Sequence, residues 1–148
     1  MRRNIALLLI RIVVGIVFLT EGILKFTLGD ELGAGRFAHI GFPMPQLLAP
    51  FVGVVEIIGG CALLLNLYAG DAAILLLCVI LTALVSTKVP ILLRHSLGPF
   101  TLAKNVPHTG LMAFLHEARL DLAMLFSLTA ILIDSGVRMG QPRPWYKR

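Results

Sequence analysis

Charge is scarce in this sequence. Only 14% of its 148 residues are Asp, Glu, Lys or Arg, against about 25% in a soluble globular domain. Cysteine is nearly absent too. Cys61 and Cys78 each lie inside an apolar stretch, and two such residues make neither a disulfide framework nor a zinc site. The four histidines, His39, His95, His108 and His116, show no metal-ligand spacing. His116-Glu117 looks like the start of an HExxH motif, but position 120 is Leu120, so no metal is expected. The chain carries no glycine-rich phosphate loop, no Ser/His/Asp elbow and no motif for flavin, haem or iron–sulfur. No internal repeat or low-complexity tract is present.

What the sequence has in quantity is apolar side chain. It is 57% hydrophobic, more than a compact soluble domain of this length can hide but well suited to a bilayer. The formal net charge is +5, yet the basic residues gather at the ends: Arg2 and Arg3 at the start, Arg138, Arg143, Lys147 and Arg148 at the finish. Flanking charge on an apolar chain reads as membrane orientation, and nucleic acid is excluded as a partner.

A helix needs about 20 residues to cross the hydrocarbon core. The apolar runs predict an all-α, antiparallel bundle of four transmembrane helices in one domain, with spans near residues 5–26, 47–68, 71–93 and 111–133 and a basic tail at 134–148. The first run is not read as a signal peptide, because Arg11 interrupts it and no small-x-small cleavage site follows. Pro43 and Pro45 punctuate the loop before the second span, and Pro90 is expected to bend or end the third. The stretch from Asn66 to Asp71 is a tight connection between spans two and three. The uncharged run of the last span, residues 122–133, would be about 18 Å long and too short to cross. This helix must therefore start near Leu111 and take in His116, Glu117, Arg119 and Asp121; an interfacial or re-entrant segment is the alternative. Loop one has room for a short amphipathic helix around Leu32 to Ile40, and loop three, with Gly98, Pro99 and Pro107, reads as irregular. With both termini in the cytoplasm of a cell-membrane protein, six Lys or Arg lie inside, against Arg36, Arg94 and Lys104 outside.

Ionisable residues at membrane depth cost several kcal/mol unless paired or hydrated, so each is a functional candidate. Helix one carries Arg11, Glu21 and Lys25, helix two Glu56, helix three Lys88, helix four Glu117, Arg119 and Asp121. At 1.5 Å per residue Glu56 lies near mid-membrane, Asp121 at similar or shallower depth, and Arg11 alone in the inner half. At 100° per residue Arg11, Gly15, Phe18, Gly22 and Lys25 share one stripe, Gly53, Glu56 and Gly60 another, and Glu117 and Asp121 are neighbours while Arg119 points away. The pattern predicts a polar pocket in the outer half, where Glu56, Asp121 and Glu117 face Lys25 and Lys88. Such a pocket could bind a polar head group or relay protons. The alternative is an ion-paired network that sets helix register, or long side chains that reach the interface. Cys61 and Cys78 fall at similar depths on adjacent helices, which allows a redox pair; two small hydrophobes is the commoner reading.

Several of these residues also carry a resemblance. Arg11-x-x-x-Gly15 and Gly22-x-x-Lys25 in helix one, Gly41-Phe42-Pro43-Met44-Pro45 in loop one, and Glu56-x-x-Gly59-Gly60 before a short turn into Ala72-Ala73 resemble the DoxX family of small four-helix membrane proteins. Asn66 stands where that family often has glycine, loop three is longer, and the tail runs Asp134-Ser135-Gly136 into a basic end. The resemblance implies a quinone-linked or redox-associated membrane subunit, since the family's namesake resembles a membrane subunit of a thiosulfate:quinone oxidoreductase. It implies Arg11, Gly22, Lys25, Glu56 and Gly60 as site positions, and less directly Asp121. On that reading Glu56 and Asp121 exchange protons, and Lys25, Arg11, Gly22, Gly60, Lys88 and Glu117 bind the head group. No cofactor is covalently bound, quinone comes from the membrane, and electrons come from a membrane or soluble redox partner. The competing expectation is a non-enzymatic assembly factor, scaffold or small-molecule permeation module, the last needing a homodimer.

Overall fold

The computed structural model describes residues 2–102 and 108–135, with side chains from Ile5 onward in the first helix. Lys104, Pro107 and the basic tail residues Arg138, Arg143, Lys147 and Arg148 lie outside the described residues. The described chain is helical, with α1 at Arg2–Thr27, α2 at Ala34–Ile40, α3 at Pro45–Leu65, α4 at Ala69–Ala83, a π-helical turn at Leu84–Lys88, α5 at Val89–Leu93 and α6 at Leu111–Ser135. Three helical segments are long and apolar enough to cross a membrane: Ile5–Thr27, Pro45–Leu65 and the continuous rod Ala69–Leu93. The 25-residue α6 has the length but carries Glu117, Arg119, Asp121 and Asp134.

The helix boundaries follow from local chemistry. Pro45 sits in the first turn of α3, where its missing N–H costs nothing. At the other end Asn66 adopts a left-handed φ of 55°, and the Leu67 N–H returns to the Ala62 carbonyl at 2.9 Å. Asparagine is the next-best residue to glycine for this cap, so Asn66 fills the role its position demands. The connection to α4 is shorter than the sequence suggested, because Ala69 already belongs to the next helix.

Of the two outcomes expected at Pro90, a bend or an end, the rod does not end there: the helix runs on to Leu93. The π turn explains this: an α-helical Pro90 would lose one hydrogen bond and collide with the preceding turn. The Val89 N–H instead reaches back five residues to the Leu84 carbonyl. The hydroxyls of Ser86 and Thr87 donate to the Ala83 carbonyl at 3.3 and 2.6 Å. The wide turn is what presents Lys88.

Small residues set the spacing of α1 and α3. A Cβ on Gly22 would lie 2.7 Å from the Gly53 carbonyl oxygen, and one on Gly60 2.8 Å from that of Gly15. Backbones in direct contact of this kind need glycine. Between α3 and α4, Gly59 makes room for Leu76. The core gathers Val14 and Phe18 of α1, Leu63 of α3, Ala73, Leu76 and Ile80 of α4, and Ala118, Leu128 and Ile131 of α6. Ile5, Leu9, Ile16, Ile58 and Phe126 point outward, an apolar exterior suited to lipid.

Two helix pairs emerge from the packing. One is α1 with α3; the other is α6 with α4 and its continuation. Near the short α3–α4 turn they are joined by Arg11, whose guanidinium donates to Asn66 Oδ1 at 2.6 Å and to Asp134 Oδ2 at 3.1 Å. Arg11 is therefore not alone in the bundle. Its partners come from a turn and from the far end of α6, which helical spacing on α1 could not reveal.

Candidate functional site

At the other end of the bundle the two pairs part around a cavity of about 540 Å³. α1 contributes Val17, Phe18, Glu21 and Lys25. α3 contributes Phe51, Val52 and Glu56. The third rod contributes Ile80, Ser86 and Lys88, and α6 contributes Glu117, Asp121 and Met124. The walls are mostly apolar, and the charges stand on them in two clusters.

On the α1–α3 wall, Lys25 Nζ lies 2.6 Å from Glu56 Oε2 and 4.0 Å from Glu21 Oε2. The Glu56 side chain is 5% exposed and that of Glu21 45%. Gly53, Gly59 and Gly60 on the same helix let neighbours close over Glu56, so this carboxylate is deeply buried and held by one cation. On the opposite wall Lys88 Nζ lies 3.8 Å from Asp121 Oδ2 and 4.0 Å from Glu117 Oε2. Asp121 and Glu117 stand one helical turn apart on α6, and the π turn swings Lys88 between them. Each wall thus carries one lysine flanked by two carboxylates, one of them more exposed than the other. At low dielectric such pairing offsets much of the cost of carrying charge at depth.

A cover closes one side of the cavity. The loop and α2 bring Leu32, Arg36, Phe37, Ile40 and Phe42 to its lining. The Phe37 and Phe42 rings pack with centroids 5.0 Å apart, and Phe42 meets Phe100 of loop three at 5.1 Å. Thr101 clips the two loops together: its hydroxyl donates to the His39 carbonyl at 2.6 Å and its N–H to the Ile40 carbonyl at 3.0 Å. Gly41, with φ at 101°, packs on the Pro99 carbonyl so closely that no side chain would fit.

The cavity therefore brings together Glu56, Asp121, Lys25, Lys88 and Glu117. It does not include Arg11, Gly22 or Gly60. Arg11 belongs to the ionic tie at the far end, and the two glycines are spent on the α1–α3 contact. Arg119 stays on its own helix, where it contacts the His116 ring at 3.1 Å. Both cysteines are free thiols; Cys78 is exposed and lines the cavity, while Cys61 is half-buried and does not. Sequence reasoning missed Arg36, Glu21's place in the lysine cluster, and the aromatic cover. Arg36 stood in the amphipathic segment but counted only as an outer-loop charge.

The family model for DoxX matches residues 6–89, which contain most of α1, all of α2, α3 and α4, and the Leu84–Lys88 turn. A similar protein is an uncharacterized membrane protein of Mycobacterium tuberculosis, 40% identical over 139 residues, 94% of this chain and 80% of that protein. No solved structure gives a significant match. The DoxX match spans more than half of the sequence, and with it the Lys25–Glu56 wall of the cavity: the chain is an integral membrane protein that belongs to the DoxX family.

Proposed function

We propose that this chain is a quinone-interacting, redox-associated subunit, built as an antiparallel four-span bundle in the cell membrane with both termini cytoplasmic. α6 supplies the fourth span. The Arg11 tie and the Lys88 cluster, which occupy its two ends, support this: a helix held at both ends within the bundle shares its depth. The pairs Gly15–Gly60 and Gly22–Gly53 run in opposite order along α1 and α3, which supports the antiparallel sense.

The observation that carries the functional reading is the cavity itself, apolar-walled, about 540 Å³, and lined by buried or half-buried acid–lysine pairs from both helix pairs. A membrane quinone has matching needs: an apolar ring, and two oxygens that gain two protons as two electrons arrive from a redox partner. Glu56 and Asp121 would pass protons to those oxygens, and Lys25 would stabilise negative charge developing on one of them.

The test is quinone binding by the purified protein in mild detergent, wild type against Glu56→Gln, with folding checked by gel filtration. Specific binding that weakens in the variant supports the pocket. No binding by well-folded wild type refutes it. A second reading, a scaffold or permeation module, is favoured by the same ion pairs, because they also bind helix to helix. It predicts that Glu56→Asp changes stability and nothing else, whereas a chemical site does not tolerate a carboxylate moved by one methylene.

A further inference from the structure

The charges on the cavity wall do not balance. Among the described residues its lining holds four carboxylates, Glu21, Glu56, Glu117 and Asp121, against three cations, Lys25, Lys88 and Arg36. Each lysine already sits between two carboxylates at 2.6–4.0 Å, so with both of its carboxylates ionised, the state in which no proton is held for transfer, each cluster taken alone is one negative charge in excess. Only Arg36, exposed on the cover, counters them, and it makes no ion pair with any described residue. His116 stands 3.6 Å from Glu117 on the outer flank and adds nothing while neutral. The same lining carries four phenyl rings, Phe18, Phe37, Phe42 and Phe51. Aromatic faces attract cations, and a net negative, low-dielectric concavity concentrates them.

From this imbalance in an aromatic cavity we infer that the site binds a lipophilic organic monocation, an apolar body bearing one delocalised or shielded positive charge. The ligand enters from the membrane, its apolar body meets the phenyl rings, and its charge lies between the Glu21–Lys25–Glu56 and Lys88–Glu117–Asp121 clusters. The more exposed carboxylates, Glu21 and Glu117, supply the excess charge, because Glu56 and Asp121 are the more deeply buried partners of the lysines. Arg36 opposes binding, and sets how tightly the cation is held. This inference is independent of quinone binding, since it rests on the sign of the cavity and not on proton or electron transfer.

Tetraphenylphosphonium and tetraphenylborate separate sign from shape, since they share size and apolar surface and differ in charge. Equilibrium dialysis of each against purified protein in neutral detergent at pH 8, with protein-free micelles subtracted, measures saturable binding. The expected result is saturable binding of the phosphonium and none of the borate. Glu21→Gln with Glu117→Gln weakens it about tenfold, and Arg36→Gln tightens it several-fold, as changes of one or two charges near the site require. The tightening variant keeps the test sound, because a misfolded protein does not gain affinity. Equal uptake of both ions overturns the inference. So does failure of folded wild type to bind the phosphonium, and so does weakening by Arg36→Gln.

Discussion

Placing one methyl group on Gly22 or Gly60 should push α1 and α3 apart. A Cβ at Gly22 would stand 2.7 Å from the Gly53 carbonyl oxygen and 3.0 Å from the Ile57 nitrogen. At Gly60 the distances are 2.8 Å to the Gly15 oxygen and 2.9 Å to the Leu19 nitrogen. These neighbours are backbone and cannot rotate aside. Restoring ordinary contact needs a separation of about 0.6 Å, and a gap of that size forfeits a quarter or more of the dispersion energy along the seam. Overpacking of this kind costs about 2–3 kcal/mol, from which the better helix propensity of alanine recovers about 1 kcal/mol. Each single variant should therefore lose about 1–2 kcal/mol. The double variant should lose less than the sum, because the first substitution has already opened the seam for the second.

Reversible unfolding in mixed micelles, followed by circular dichroism, measures these changes. Gly29→Ala is the control: a Cβ there meets nothing within 4 Å, so its stability should stay within about 0.5 kcal/mol of wild type. Either alanine variant proving as stable as wild type would refute the packing argument. Loss of ligand binding with unchanged stability would return Gly22 and Gly60 to the binding site where the sequence had suggested them.

Further consequences follow from the same contacts. Asp134→Ala leaves the buried Arg11 charge with one acceptor fewer and should cost about 3 kcal/mol, measured by the same unfolding assay, with part recovered in Arg11→Met/Asp134→Ala. Pro90→Ala removes the reason for the π turn, so hydrogen exchange across residues 84–90 should slow as an ordinary α-helical ladder forms. Thr101→Val removes the hydroxyl half of the clip between the two loops; exchange in α2 should quicken locally, by about 1 kcal/mol of opening free energy, while global stability holds. A membrane-permeant maleimide should label Cys78 faster than Cys61, and a cavity ligand should slow only Cys78.

How far the sequence could be read depended on whether a feature lived within one helix. The stripe Arg11–Gly15–Phe18–Gly22–Lys25 and the face Gly53–Glu56–Gly60 were legible because helical spacing is fixed at 100° per residue. Phe18 and Glu56 are indeed buried at 3% and 4% exposure. The partners of Arg11 were not legible. Arg11 meets an asparagine from a turn and an aspartate 123 positions away, and nothing on α1 encodes either. Lys88 was legible as a cation facing the carboxylates, but the π turn that aims it was not, because that turn depends on how the chain accommodates Pro90. The role of the small residues was misjudged for a related reason: glycine beside a carboxylate permits either a ligand or a neighbouring backbone to approach, and only the packed bundle shows that the backbone took the space at Gly22 and Gly60.

The distribution of charge then explains why the bundle opens where it does. Near the α3–α4 turn an ionic tie crosses between the helix pairs, with Arg11 of α1 reaching Asp134 of α6, and the pairs are held together there. At the cavity end, among the described residues, the lysine ion pairs stay within their own helix pair: Lys25 with Glu21 and Glu56 on α1 and α3, Lys88 with Glu117 and Asp121 on the third rod and α6. Each lysine is paired within its own wall and gains nothing ionic when the walls close, while the excess negative charge on both walls resists closure. An apolar bundle with neutral walls would collapse onto such a void, since every unfilled volume forfeits dispersion contacts. Charge pairing confined to each wall keeps the space open, and the same arrangement leaves the cavity selective by sign for whatever fills it.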